Sequence, residues 1–78
     1  MPWTTATLAD FFAARGVPSH AYSFYLQRDD AICLDKVDNE WLVYFSERGA
    51  RRELAWASSE AEALDYVRGI VLDAHPLP

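Results

Sequence analysis

The densest cluster of chemically active side chains is Ser46–Leu54, which holds one serine, two glutamates and three arginines. Such a set could support hydrolysis with Ser46 as the nucleophile, or it could be the charged tip of a turn. A serine nucleophile needs a histidine as its base. The only histidines, His20 and His75, lie far from Ser46 in the sequence. The pattern therefore favours a polar turn over a catalytic loop.

Other patterns for catalysis or metal binding are weak. Cys33 is the single cysteine and has no neighbouring base, which indicates a structural role. A structural zinc site needs about four Cys or His ligands. Asp29 and Asp30 are the remaining candidates for carboxylate ligation, and this pair is more typical of a solvated turn. Twelve acids allow many carboxylate pairs for acid–base work, but no spacing selects one. We predict no enzymatic activity, no metal and no cofactor.

Size and composition predict one folded domain over residues 1–78. The chain is 51% hydrophobic and 14% aromatic, whereas disordered chains are poor in both classes. No apolar run approaches the ~20 residues of a membrane span, and the N-terminus lacks the regions of a signal peptide. A single cysteine cannot form the internal disulfide that small secreted domains often need. We therefore expect a cytoplasmic protein with no membrane contact.

The chain is acidic, with twelve Asp and Glu residues against seven Lys and Arg and a net charge of −5. A domain that binds nucleic acid normally presents a basic stripe, so we expect no nucleic-acid partner. A negative surface attracts a basic protein. Solubility alone is an equally good reason for this charge on a small domain.

One helix is predicted at each end of the chain. Thr4 is a typical N-cap for a first helix over about residues 5–15, and Gly16 is a typical residue just past a helix end. Ser59 begins a capping box, with a glutamate three residues later. The second helix should end near Asp73, before a loose C-terminal tail.

Three strands are predicted between the helices. Residues 31–37 and 40–46 are rich in strand formers, and residues 38–39 between them suit a two-residue hairpin turn. A second tight turn is predicted at residues 48–49, where glycine accepts a left-handed backbone. Residues 19–27 fit either a strand or a short helix, and we favour an extended or irregular segment.

These turns set the register and hence the two faces of the sheet. Closing the second hairpin at residues 48–49 pairs Val43 with Leu54. Trp41 then pairs with Trp56. One face carries Ile32, Leu34, Trp41, Val43, Phe45, Leu54 and Trp56. We predict an α+β fold, a three- to four-stranded antiparallel β-meander with an N-terminal and a C-terminal helix packed on this face. The other face is open for an interface.

The polar side chains on this framework have two interpretations. They solvate the turns and discourage pairing of the edge strand, or they anchor a protein partner around an aromatic hot spot. The candidate partner-binding residues are Asp29, Asp30, Asp35, Asp38, Glu40, Tyr44, Glu47, Arg48 and Arg51.

About half of the chain, from Asp30 to Val67, resembles small immunity proteins of bacterial polymorphic toxin systems. Two motifs carry the resemblance: YFSERG at residues 44–49 and SEAEA at residues 59–63. They are similar to an α+β type in which a strand ends in Tyr-aromatic-Ser-Glu-Arg-Gly and a helix begins Ser-Glu-x-Glu-Ala. The SERG element is moderately specific, whereas the helix start is a general capping box.

The resemblance implies a protein that binds and blocks a cognate toxin made by the same cell. Acidic and tyrosine side chains would cover a basic cleft, and opposite charges would speed the encounter. A nuclease is the toxin class that such a cleft suggests. The alternatives are a homodimer or adaptor that uses the open sheet face, and a small enzyme or ligand-binding domain with an enclosed polar pocket.

Overall fold

Two helices flank four strands in the computed structural model, which describes residues 2–75. The elements are α1 (Thr5–Ala14), β1 (Tyr22–Phe24), β2 (Ala31–Val37), β3 (Glu40–Glu47), β4 (Ala50–Ala57) and α2 (Glu60–Ala74). A single 3₁₀ turn, Ser19–Ala21, precedes β1. The predicted α+β class is confirmed. The last three residues of the predicted tail, 76–78, lie outside the described range.

Local hydrogen bonds fix the starts of both helices. At α1 the Thr4 hydroxyl accepts from the Thr7 amide at 3.1 Å, and the Thr7 hydroxyl accepts from the Thr4 amide at 2.9 Å. At α2 the Ser59 hydroxyl accepts from the Glu62 amide at 3.2 Å. Gly16 follows α1 with a φ of 76°. These contacts satisfy amides that the helices themselves leave unpaired. Both predicted N-caps are confirmed, but the capping box predicted at Ser59 is incomplete, because the Glu62 carboxylate accepts from the Ser58 amide in place of the Ser59 amide.

The strands lie in the sheet in the order in which they occur in the chain, β1-β2-β3-β4. The first hairpin has the predicted register, with Val37 opposite Glu40 and Ile32 opposite Phe45. Asp38 in the intervening turn has a φ of 57°, which a short polar side chain tolerates.

The edge strand β1 departs from the predicted antiparallel meander, because it runs parallel to β2, with Tyr22 beside Ile32. The sheet is therefore mixed. Residues 25–30 form the connection, and both end residues, Tyr25 and Asp30, have positive φ angles of 64° and 59°. These two bends return the chain to the start of β2, so both strands run in the same direction.

The second hairpin turns at Arg48 and Gly49, as predicted, with φ angles of 52° and 80°. Its register then changes. Glu53 pairs with Tyr44, but Ala55 pairs with Val43, which leaves Leu54 as one extra residue in β4. Such a β-bulge shifts the alternation of the side chains that follow it.

The predicted pairs Val43–Leu54 and Trp41–Trp56 are therefore wrong. Trp41 lies opposite Ala57, and Trp56 lies opposite Leu42 on the other face of the sheet. Five of the seven side chains predicted to share one face do so. Leu54 is only half-buried at the bulge, and Trp56 is 43% exposed.

The main core lies between the helices and one face of the sheet, which we call the helix face. Its buried members are Leu8, Phe12, Val17, Ala21, Leu34, Val43, Ala57, Ala63, Leu64, Val67 and Val71. Trp41, Ile32 and Ala55 pack at its margin. Within residues 2–75, neither helix has the length and apolar character needed to cross a membrane.

Truncating a buried and an exposed side chain of α2 should show how much the buried one stabilises the fold. Leu64 is fully buried in α2, whereas Tyr66, two residues on, is 44% exposed. We expect Leu64→Ala to lower the free energy of unfolding by about 2–5 kcal/mol, because the lost contacts leave a cavity. Tyr66→Ala should cost much less. Urea denaturation of both variants measures this, and equal losses would contradict the packing described.

Candidate functional site

The predicted partner-binding residues do not form one patch. Asp38 and Glu40 lie at the turn before β3, whereas Glu47 and Arg48 lie at the turn after it. Eight residues of β3 separate these turns, which corresponds to roughly 25 Å of extended chain. The two ends of the sheet must therefore be considered separately.

At the Glu47 end, residues 27–29 pack against the face opposite the helices, which we call the second face. Ser46, which is fully buried, makes the central contacts. Its hydroxyl donates to Asp29 Oδ1 at 3.1 Å and accepts from Gln27 Nε2 at 3.1 Å. Asp29 Oδ1 also accepts from the Gly49 amide at 3.1 Å. We call Gln27, Asp29, Ser46 and Gly49 the loop latch, because they tie this loop to the β3–β4 turn.

Arg51 extends the loop latch across the second face. Its Nε donates to Gln27 Oε1 at 3.1 Å, and its Nη1 lies 3.5 Å from Asp35 Oδ2. The guanidinium group lies 4.5 Å from the centre of the Tyr44 ring. Tyr44 is 1% exposed and packs with Cys33 and other buried side chains. These predicted site residues thus hold the fold together, and the Tyr44 ring is not presented to solvent.

The other candidates at this end are more accessible. Glu47 and Arg48 are exposed at the tip of the turn. Asp30 donates its amide to the Ser46 carbonyl at 2.6 Å, and it lines a cleft of about 250 Å³ on the helix face. His20 and His75 line the same cleft, above apolar side chains of the sheet and of α2. Both histidines of the chain thus line this cleft. The Ser46 side chain lies on the second face, so neither histidine is placed to act as its base.

At the opposite end of the sheet, Trp56 stands on the second face with 43% of its surface exposed. Its indole Nε1 donates to Glu53 Oε1 at 3.0 Å, three residues earlier on the same strand. Trp56 lines two shallow hollows of about 530 Å³ and about 340 Å³, which also share Asn39 and Glu40. The ring is therefore held in place yet accessible to a partner.

Carboxylates surround this indole. We define the Trp56 surface as Trp56 and the residues that line the two hollows: Val37, Asp38, Asn39, Glu40, Ala57, Ser58 and Glu62. Glu40 lines both hollows, and none of these residues is basic. Glu62 also accepts from the Ser58 amide at 3.3 Å, which orients its carboxylate at the start of α2. The result is an exposed aromatic ring within a negative field.

The sequence pattern named Asp38 and Glu40 but missed Trp56. An unbulged β4 would put Trp56 on the helix face, so the pattern assigned it to the core. One sequence feature could have indicated the correct face for Trp56. Ala55 and Ala57, on either side of it, have small side chains that suit the face on which a helix packs closely. That signal appears only when Leu54 is counted as an extra residue.

Tyr25 links the helix face to the start of α2. Its hydroxyl donates to a carboxylate oxygen of Glu60 and accepts from Trp41 Nε1 at 3.2 Å. Partial burial, followed by the bond to Glu60, raises the pKa of Tyr25 above its ordinary value. Burial is also the main cause that raises the pKa of Tyr44, with Cys33 as the next contributor.

In the part of the chain that the structure describes, no three His, Cys, Asp or Glu side chains are grouped closely enough to hold a metal ion. Comparisons with models of protein families, with curated proteins and with solved structures find no match to this chain.

Breaking the loop latch should loosen residues 25–30 and expose the buried thiol beneath them. Cys33 is fully buried, and its Sγ lies 3.6 Å from the Arg28 carbonyl oxygen. We expect Asp29→Ala to cost roughly 1–3 kcal/mol, because the buried Ser46 hydroxyl loses its acceptor. Cys33 should then react faster with a thiol reagent. Asp73→Ala, which removes an exposed acid on α2, is the control, and equal labelling rates in both variants would contradict the latch.

The raised pKa of Tyr44 predicts a loss of stability at high pH. Its ordinary pKa is 10.0 and its folded value is higher, so its contribution is complete below pH 10 and is lost as pH rises through the folded pKa. Tyr44→Phe should make stability fall less steeply above pH 10. Urea denaturation across that range tests this, and an unchanged slope would show that Tyr44 does not carry the effect.

Proposed function

We propose that this protein binds and blocks a cognate bacterial toxin, as a cytoplasmic immunity protein without enzymatic activity, and that the Trp56 surface makes the contact. The observation that carries the proposal is the exposed indole of Trp56, held by Glu53 beside Asp38, Glu40 and Glu62. A half-exposed tryptophan at the centre of a charged rim is typical of an interface hot spot.

The charge of the chain supports the same function. An inhibitor of this kind needs a complementary surface and no reacting groups. A negative rim speeds association with a basic cleft and keeps nucleic acid away. The nuclease class is part of the proposal, because a cleft that binds phosphates is basic.

The alternative is a homo-oligomer or an adaptor. The feature that favours it is β4 (Ala50–Ala57), which is an edge strand of the sheet. The free outer side of an edge strand can pair with another strand. Sizing with light scattering separates the two functions, because a stable dimer of the purified chain favours the alternative.

If a neighbouring gene encodes a toxin-like protein, co-expression of that protein with this chain tests the proposal through growth rescue. We expect Trp56→Ala to weaken toxin binding by at least about 2 kcal/mol, or roughly 30-fold, and to reduce rescue. The paired variant Glu47→Ala with Arg48→Ala tests the opposite end of the sheet and should bind with nearly unchanged affinity.

Unfolding measurements on each variant separate lost binding from lost folding. Full rescue and unchanged affinity with Trp56→Ala would remove the Trp56 surface from the interface. Loss of binding in the folded Glu47/Arg48 variant alone would place the interface at the other end of the sheet. Absence of rescue by the parent chain would remove this toxin as its partner.

A further inference from the structure

We infer that the Trp56 surface binds a basic segment of its protein partner, with an arginine or lysine side chain lying over the indole ring. This inference rests on the proposed function for the identity of the partner. It adds which chemical group the surface recognises and which side chains recognise it.

The first argument comes from the other aromatic rings of the chain. Four of them carry a cation from the same molecule: Arg15 on Phe11, Lys36 on Trp41, Arg51 on Tyr44 and Arg68 on Trp3, at 4.4, 5.1, 4.5 and 5.8 Å from the ring centres. Trp56 has no such partner among the described residues. Trp56 is 43% exposed, about as much as the exposed tyrosines Tyr25 and Tyr66. Indole is the aromatic side chain that binds cations best.

The second argument is the charge around the ring. Asp38, Glu40 and Glu62 line the two hollows beside Trp56, and none of the residues lining those hollows is basic. Glu40 lines both hollows, so a cation in either hollow meets a carboxylate. A cation placed there gains attraction from the ring face and from the carboxylates together.

The geometry also favours a partner segment over a second copy of this chain. The Nε1–Glu53 bond fixes the ring and leaves it little freedom to lose on binding. A second copy that docked through the same surface would bring like charges together, which is unfavourable. An extended basic segment would instead place successive side chains along the two hollows.

Titration of the purified protein with a hexa-arginine peptide at low salt tests the inference by nuclear magnetic resonance. We expect the Trp56 indole N–H signal and the Glu40 and Glu62 amide signals to move together and to saturate. Trp56→Leu keeps an apolar side chain but removes the ring, and should weaken binding roughly 2- to 30-fold.

A charge-matched pair of variants provides the control. Glu40→Gln with Glu62→Gln removes two charges from the surface and keeps a side chain that can cap α2. Asp10→Asn with Asp73→Asn removes two charges from exposed positions elsewhere. The first pair should weaken peptide binding several-fold more than the second. Equal weakening, shifts centred away from Trp56, or a dimer that buries this surface would overturn the inference.

The peptide experiment does not depend on the toxin, so the two proposals can fail separately. Specific peptide binding without growth rescue would support the recognition of basic side chains and contradict the proposed toxin partner. Rescue without peptide binding at Trp56 would retain the function and remove this inference.

Discussion

One extra residue in β4 controls which side chains this small protein buries. Side chains alternate along a strand, so the insertion of Leu54 turns Ala55 and Ala57 towards the helices and Trp56 away from them. Small side chains on the helix face let α2 approach the sheet closely. The large indole, which would otherwise compete for that space, stands on the second face beside carboxylates. The packing of α2 and the position of the candidate interface thus have a single structural origin.

The YFSERG motif has a structural explanation at most of its positions. Tyr44 is buried beneath Arg51, Ser46 is the centre of the loop latch, and Arg48 and Gly49 supply the left-handed angles of the turn. Glu47 is exposed and has no such role among the contacts described. A chain that shares this motif is therefore expected to share the turn, and to share the latch where it also has the equivalents of Gln27 and Asp29.

Features that depend on neighbours in the sequence could be predicted, and features that depend on distant contacts could not. The caps at Thr4 and Ser59 and the first hairpin follow from short patterns, and the structure contains them. The parallel direction of β1 depends on a loop held by Ser46, about twenty residues further along the chain. The bulge is a change in how β4 pairs with β3, so the pattern of β4 alone did not reveal it.

The candidate site shows the same division. Asp38 and Glu40 were predicted because they occupy a turn, and turn residues are exposed. Trp56 was missed because its environment depends on the bulge at Leu54, which appears only in the pairing of β4 with Val43 and Tyr44 of the neighbouring strand. Tyr44 and Arg51 were predicted to bind a partner because of their residue types. In the structure they contact each other, and Arg51 also contacts Gln27 and Asp35, so these side chains make intramolecular contacts.

The order of the strands has a consequence for how quickly the molecule assembles. Each strand pairs with the one next to it in the chain, so the sheet can form without closing a long loop. Chains dominated by such short-range contacts reach the native state fast and spend little time with bare apolar surface. Rapid assembly of this kind would suit the function proposed above, in which the protein must be folded by the time its toxin is synthesised.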